Sequence, residues 1–334
     1  MSSEPVLLFS RSDVADLLDP AATVEAVEAA FRAQGEGTAG PAGVLGTHVE
    51  GGRFHVKAAA LTRGGGRAFY AAKVNGNFPG NPDRGLPTIQ GVLVLADASN
   101  GTPLAVMESG ELTARRTAAA SAVAARHLAC ADADTAAIIR CGAQARAHLA
   151  ALLVVRALKA VWVADQDTER ARAFATQAAR EFGIEVRAAE SVRRAARAAP
   201  IVVTCTTALA PILHPGDVLP GTFVAAVGAD SERKSEIAPA LMAGAAVVCD
   251  VVEQCARIGD LHHALEAGAM RLEDVRGELG RVVAGRGAGR RSDDEIVIFD
   301  STGTALLDVA AAAVVYERAR AAGGGRGTPV PLRD

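Results

Sequence analysis

The stretch AAIIRCGAQARAHLAALLVVRALKAVWVADQD, residues 136 to 167, opens with a short apolar β-type run and passes a turn of small residues. It continues as an Ala/Leu helix and closes on a second β-type run that ends in an acid. The pattern reads as strand, turn, helix and strand. In such a unit the backbone amides at the helix start can receive a pyrophosphate, helped by the helix dipole, provided the turn residues allow close approach. Gly142, Ala143 and Ala145 are small enough, and Gln144 lies among them. Asp165 closes the second strand about 20 residues after the turn, where a carboxylate accepts hydrogen bonds from the ribose hydroxyls of NAD and repels a 2′-phosphate. The stretch therefore predicts a dinucleotide site that prefers NAD to NADP. One residue departs from the G-x-G-x-x-G/A fingerprint: Arg140 stands where the first glycine belongs. An arginine does not adopt positive φ cheaply, so either the turn is built differently or the guanidinium works near the phosphates. On this stretch alone, a buried βαβ unit without a ligand is the alternative.

The chain has 334 residues, half of them apolar, enough for a large core and for two domains. A net charge of -3 and a pI near 6.2 give no general pull toward nucleic acid or anionic lipid, so the expected partners are small molecules. Five scattered cysteines, without C-x-x-C spacing, suggest neither a metal site nor a disulfide framework. The start MSSEPVLLFSRSD has no basic leader pattern, and no apolar run reaches about 20 residues, so the reading is cytoplasmic, with no membrane. Among 35 basic residues only Lys57, Lys73, Lys159 and Lys234 are lysines. Where arginine is the default cation, a lysine can mark a need for a compact ammonium whose pKa falls on burial.

In chain order, a helix is expected after Asp19-Pro20, ended by Gly35 and Gly37. Residues 40 to 110 then read as an antiparallel sheet or small barrel, with runs Val44–Val49, Phe54–Ala60, Ala68–Val74, Ile89–Ala96 and Pro103–Met107. Turns are expected at the glycines 64 to 66 and at Ser99-Asn100-Gly101. A helix follows from Ser109 to near Leu128, and after Asp165 the β/α alternation resumes. Strands at 184–186, 201–205, 223–227, 246–249 and 296–299 predict a doubly wound parallel sheet. Gly303 to Ala322 is one long helix, followed by a Gly-rich tail read as disordered.

Polar clusters follow the strands, where open α/β sheets bind ligands: Thr204 to Thr207, Gly228-Ala229-Asp230, and Asp300 to Gly303. Small hydroxyl side chains there suit nicotinamide, ribose or phosphate. Asp230 is the one acid in this group placed directly after a strand and a glycine; the alternative is an N-cap for a helix starting near Ser235.

Gly85 to Gln90 (GLPTIQ), Leu112 to Ala119 (LTARRTAA), Cys141 to Gln144 (CGAQ), Val227 to Asp230 (VGAD) and Phe299 to Gly303 (FDSTG) together resemble the ornithine cyclodeaminase/mu-crystallin family. The resemblance spans roughly residues 10 to 320. It implies an α/β protein with a Rossmann-type domain, here 130–303, and an α+β substrate-binding and dimerisation domain from 1–129 and 304–334, in a homodimer. By position, Lys73 looks like the family lysine that holds the substrate carboxylate and takes part in catalysis. Arg116 is similar to the arginine that reaches both substrate and cofactor phosphate. Asp230 looks like the general acid/base. Thr88, Ala143, Gln144, Asp165, Thr206, Val227, Lys234 and Ser301 match positions lining the dinucleotide, and Thr302 a position beside the substrate. The family's second carboxylate-binding arginine is missing: the matching place holds Pro41-Ala42-Gly43. Lys57, one strand before Lys73, is the candidate to complete the clamp.

The activity this implies is NAD(H)-dependent hydride transfer at the α-carbon of an L-amino or imino acid, as in conversion of ornithine to a cyclic imino acid with loss of ammonia. An amino-acid dehydrogenase or cyclic ketimine reductase would use the same groups. A non-enzymatic dinucleotide-dependent binder, like mu-crystallin, is the third reading, and retention of Asp230 and Lys73 argues against it.

Overall fold

The computed structural model describes residues 5–40, 42–62, 66–323 and 326–332. The first elements are β1 (Val6–Phe9), α1 (Arg11–Leu17), α2 (Pro20–Glu36), β2 (Ala42–Val49), β3 (Gly52–Thr62), β4 (Ala68–Asn77), β5 (Ile89–Asp97), β6 (Pro103–Glu108) and α3 (Ser109–Leu128). Then come β7 (Thr135–Ile139), α4 (Ala145–Val155), β8 (Ala160–Ala164), α5 (Thr168–Phe182), β9 (Glu185–Ala188), α6 (Val192–Arg197), β10 (Ile201–Thr204), β11 (Leu209–Leu213) and β12 (Phe223–Ala226). The chain continues through β13 (Ser235–Ile237), α7 (Pro239–Ala243), β14 (Ala246–Cys249), α8 (Val252–Ile258), α9 (Asp260–Glu266), β15 (Gly277–Glu278), α10 (Leu279–Val283) and β16 (Val297–Asp300). It closes with α11 (Ala305–Ala321) and β17 (Thr328–Val330).

Two compact units result, 1–116 with 304–334, and 117–303. The division falls inside α3, at Arg116/Thr117, whereas the bounds implied by the family resemblance placed it after the helix, at Ala129. In the first unit a seven-stranded sheet runs β17-β1-β6-β5-β4-β3-β2. It is antiparallel except where β1 lies parallel to β6. Helices α1 and α11 cover one face and α2 packs against α11, burying Val24, Val27, Phe31 and most of α11. The other face carries apolar side chains in register across four strands, Leu45 beside Val56, Val56 beside Val74, and Val74 beside Val92. Leu45, Val74 and Val92 are exposed, and so is every residue of β2.

Several expectations are corrected here. Asp19 caps α2 by accepting from Ala22 N at 2.9 Å, but Gly35 lies inside the helix and only Gly37, at φ 76°, ends it. The Gly-rich tail read as disordered leads into β17, which pairs antiparallel with β1. Of the glycine turn at 64 to 66, Gly64 and Gly65 lie outside the described residues, as does Pro41.

The second unit holds an eight-stranded parallel sheet in the order β15-β14-β16-β12-β10-β7-β8-β9. Strands β10, β12 and β16 are buried at every residue, as a parallel sheet covered on both faces requires. From β7 the chain winds outward through β8 and β9, then returns to lay β10 on the other side of β7. The switch point therefore sits at the carboxyl ends of β7 and β10, where α/β sheets of this kind bind ligands. Among the described residues no helix is long and apolar enough to cross a membrane.

Candidate active site

In the first unit the site is built around one buried carboxylate. Lys73 on β4 donates from Nζ to Asp308 Oδ1 at 2.8 Å and to Thr113 Oγ1 at 3.1 Å. Arg116 on α3 brings Nε within 2.9 Å of the same Asp308 oxygen. All three side chains are buried. Burial pulls the Lys73 ammonium down to about 7, against the pull of Asp308, with Arg116 and Lys57 adding to the depression. Burial raises the Asp308 carboxyl, but Lys73 and Arg116 outweigh it and hold it below the usual range. Lys57 lies directly opposite Lys73 in the β3/β4 register, so the two side chains share a face of the sheet. Asp308 was not anticipated. Its signal was nonetheless present, because it is the only charged residue from Ala305 to Tyr316. Thr88 lies in the loop before β5, its carbonyl accepting from Phe78 N at 2.9 Å.

In the second unit the turn after β7 has an unexpected geometry. Arg140 takes φ 89°, the only positive φ at a non-glycine among the described residues. The tight turn is thus formed as a glycine would form it, despite the side chain. Asp165 Oδ2 accepts from Cys141 N at 2.8 Å and Oδ1 from Asp167 N at 3.0 Å. The carboxylate braces the turn from the end of β8, and each oxygen keeps a further lone pair for a ribose hydroxyl. Gln144 stands at the start of α4 without a side-chain cap; Ala145 N donates to Gly142 O at 3.2 Å, so an anion would meet the amides that follow it in the first turn of this 11-residue helix. A cavity of about 320 Å³ opens beside the turn, lined by Arg140, Asp165, Gln166, Thr206 and Thr207 with apolar side chains behind them. The small turn, the uncapped helix start and this cavity fit an adenine dinucleotide.

The ends of β10 and β12 are tied by a residue the sequence reading missed. Glu236, fully buried on β13, accepts from Thr206 N at 2.6 Å, Gly228 N at 2.8 Å and Thr204 Oγ1 at 2.8 Å. Burial raises its carboxyl, and these three donors oppose the rise. A Cβ at Gly228 would lie 2.4 Å from the Thr206 carbonyl oxygen and 2.5 Å from Glu236 Oε1, so only glycine fits. Asp260 Oδ1 in turn accepts from Glu236 N at 2.7 Å and Ile237 N at 3.0 Å, and the Asp300 carboxylate accepts from Leu261 N at 2.8 Å. Burial and the nearby Glu236 push Asp260 up to about 7.

Two residues past Gly228, Asp230 Oδ1 accepts from Lys234 Nζ at 2.6 Å. The N-cap alternative for Asp230 is removed, because residues 235–237 form strand β13 and no helix starts there. Val227 N donates to Thr204 O at 3.0 Å, and Ser301 N to Ala226 O at 3.0 Å, which brings three strand ends together. Ser301 Oγ donates to Asp250 Oδ2 at 2.8 Å, and Thr302 Oγ1 accepts from Gln254 Nε2 at 2.6 Å. The structure thus gathers Lys57, Lys73 and Arg116 in the first unit. In the second it sets Asp165 against the turn that carries Gly142 to Gln144, brings Thr206, Val227 and Ser301 to neighbouring strand ends, and pairs Asp230 with Lys234.

The family model for ornithine cyclodeaminase/mu-crystallin matches residues 5–323. The chain belongs to the ornithine cyclodeaminase/mu-crystallin family. Within this family it is 35% identical over 314 residues to alanine dehydrogenase from Archaeoglobus fulgidus, covering 94% of this chain and 95% of that one. Among solved structures, an archaeal alanine dehydrogenase dimer with bound NAD matches with a TM-score of 0.92 at 33% identity, covering 98% of this chain and 99% of that one. The Thermococcus litoralis Delta(1)-pyrroline-2-carboxylate reductase, in complex with NADH and L-proline, matches with a TM-score of 0.91 at 32% identity, covering 97% and 100%. The family expectation drawn from the five short motifs is therefore met over nearly the whole chain.

Proposed function

We propose that this chain is an enzyme that binds NAD(H) and catalyses hydride transfer at the α-carbon of an L-amino acid or the matching imino acid. The observation that carries the reading is the buried pairing of two cations, Lys73 and Arg116, with a single carboxylate, Asp308. Two cationic groups against one carboxylate suit one further carboxylate, and its arrival opposes the burial that depresses the Lys73 ammonium and so favours the charged form. Two of the solved structures pair a nicotinamide dinucleotide with amino- or imino-acid chemistry, an alanine dehydrogenase with bound NAD and a pyrroline-2-carboxylate reductase with NADH and L-proline, in keeping with that charge.

When bound, NAD(H) supplies the acceptor and donor of the hydride. Lys73 and Arg116 hold the α-carboxylate and so aim the α-hydrogen, with Lys57 and Thr302 beside the substrate. Asp230 carries the proton of the reacting amine on its carboxylate, and Lys234 fixes the direction of that group. Gly142, Ala143 and Gln144 cradle phosphate, Asp165 takes the ribose, and Thr88, Arg116, Thr206, Val227, Lys234 and Ser301 complete the dinucleotide contacts. In an ornithine cyclodeaminase-like reaction a side-chain amine closes on the imine, ammonia leaves and the ring is reduced; in a dehydrogenase, water adds to the imine instead, and the 2-oxo acid and ammonia leave with the NADH. Incubation with NAD and a panel of L-amino acids separates them. Ammonia without net NADH marks cyclodeamination, and ammonia with equal NADH marks dehydrogenation. Neither with any amino acid, and no NADH oxidation by cyclic imines, overturns the proposal.

Lys57→Ala is expected to raise the KM for the amino or imino acid about tenfold or more, the scale of a lost hydrogen bond to a charged group, and to spare NADH binding. Lys159→Ala should change neither, because Lys159 is exposed and pairs with Asp134 at 2.6 Å. Equal kinetics in Lys57→Ala and the unmodified enzyme would take Lys57 out of the substrate site.

We also propose a homodimer in which a second copy covers the row Leu45, Val56, Val74 and Val92. A contiguous apolar face of that kind marks an association surface rather than a wetted one. Val74→Lys with Val92→Lys should halve the mass seen by sedimentation; a monomeric unmodified protein removes the proposal. The five free thiols suit a reducing compartment, and we place the protein in the cytoplasm.

A further inference from the structure

Arg140 is the residue that the reaction leaves unexplained. Glycine would hold φ 89° without steric cost, whereas an arginine there sets its Cβ against the backbone. Its backbone N–H donates to Ala164 O at 2.7 Å, which fixes the turn, and the side chain then folds back across that turn. A Cβ built on Gly142 would lie 3.5 Å from Arg140 Nε and 3.7 Å from Arg140 Cγ, so the arginine lies over the position where the fingerprint glycine admits phosphate. Nη1 donates to Thr207 Oγ1 at 3.0 Å, across from the end of β7 to the segment after β10. The guanidinium therefore stands at the rim of the 320 Å³ cavity, beside Asp165 and Thr206.

We propose that Arg140 is a phosphate ligand of the dinucleotide site, a charged substitute for the first fingerprint glycine that binds the pyrophosphate through its guanidinium. The inference rests on the dinucleotide reading above. A planar fork of N–H donors forms paired, charge-assisted hydrogen bonds to phosphate oxygens, which the backbone of a glycine cannot supply. Thr207 holds the guanidinium near its working position before the ligand arrives. Two consequences are opposite in sign: the residue strains the protein alone and strengthens the complex.

Arg140→Gly separates them. Thermal unfolding without ligand should move to higher temperature, and the dissociation constants for NAD and ADP, measured by calorimetry, should rise about tenfold or more. Binding of adenosine, which has no phosphate, should stay within about twofold of the unmodified protein. The dependence of NAD affinity on salt should also flatten, because a screened ion pair has gone. Unchanged NAD and ADP affinity would overturn the proposal and turn the guanidinium away from the phosphates. An equal loss for adenosine would overturn it too, assigning Arg140 to the base. If the unmodified protein binds neither NAD nor ADP, the dinucleotide reading itself fails and takes this inference with it. Arg140→Ala, which keeps the strained φ and lacks the cation, should lose affinity as the glycine variant does without the gain in stability.

Discussion

Asp230→Asn is expected to lower turnover about 100-fold or more while leaving dinucleotide affinity near normal, the usual scale for a positioned acid/base. Asparagine keeps the shape of the side chain and can still meet Lys234, but it cannot take up and return a proton at neutral pH. The location of the acid supports the size of the effect. Gly228, two residues before it, is pinned between Glu236 and the Thr206 carbonyl with no room for a Cβ, so the loop that carries Asp230 starts from a fixed point. Single-turnover reduction of NAD with saturating amino acid measures the step directly. Activity within a few fold of the unmodified enzyme would move proton transfer to another group. Glu236→Gln offers a comparison: it acts only by loosening the loop, so its deficit should be partly rescued by Glu236→Asp, whereas no acid but Asp230 itself should restore the Asp230→Asn variant.

Asp308→Asn should cost about 3–5 kcal/mol of stability, because it removes the one carboxylate shared by two buried cations and leaves them facing each other. The shift in denaturant midpoint measures it. A pH readout distinguishes this from a general packing loss. Burial pulls the Lys73 ammonium down to about 7 in the folded protein, against its ordinary 10.5 when unfolded, so between these values the unfolded chain binds more protons and stability rises with pH. Taking away Asp308, which raises the Lys73 value, should depress it further and start that rise at lower pH. Binding of a carboxylate inhibitor, which needs the ammonium, should then weaken at lower pH than in the unmodified enzyme. The groups facing Lys73 are Asp308, Arg116, Lys57 and Thr113, and only the first is changed. Lys73→Met combined with Asp308→Asn should recover part of the stability without substrate binding. A loss below about 1 kcal/mol in Asp308→Asn would mean that the cluster is wetter than its burial implies.

Much of the fold was legible because periodicity survives in isolated segments. The runs that became β10, β12 and β16 are continuous apolar stretches with hydroxyl or acidic residues after them, and that pattern alone locates the strand ends. What the sequence hid depends on partners far along the chain. β17 is three residues after a Gly-rich stretch and has no meaning without β1 beside it. Glu236 looks like a surface residue of a polar segment until β13 folds it under the ends of β10 and β12. Residues 231–237 carry no periodicity that separates a short strand from a helix, and for that reason the N-cap reading of Asp230 stood open. Arg140 was marked by its place in the fingerprint, but whether the backbone or the side chain would yield was decided only by the structure: the backbone bent to positive φ. Asp308 could have been found by asking why a helix of alanine and valine keeps a single acid.

The first unit takes its sheet and helices from two separate segments, 1–116 and 304–334, whereas the second is one uninterrupted segment between them. During synthesis the second unit is complete before α11 exists, and it can fold on local closures while the first still waits. Until α11 is made, β3 and β4 lack the helix that covers them, and Lys73 and Arg116 stand without their counter-charge. The nascent amino-terminal strands are then an open, apolar template for stray pairing. Asp308 and β17 follow the whole of the second unit along the chain, so the element that completes the carboxylate clamp is made after the dinucleotide fold, and a chain cut short between the two would have that fold and no clamp.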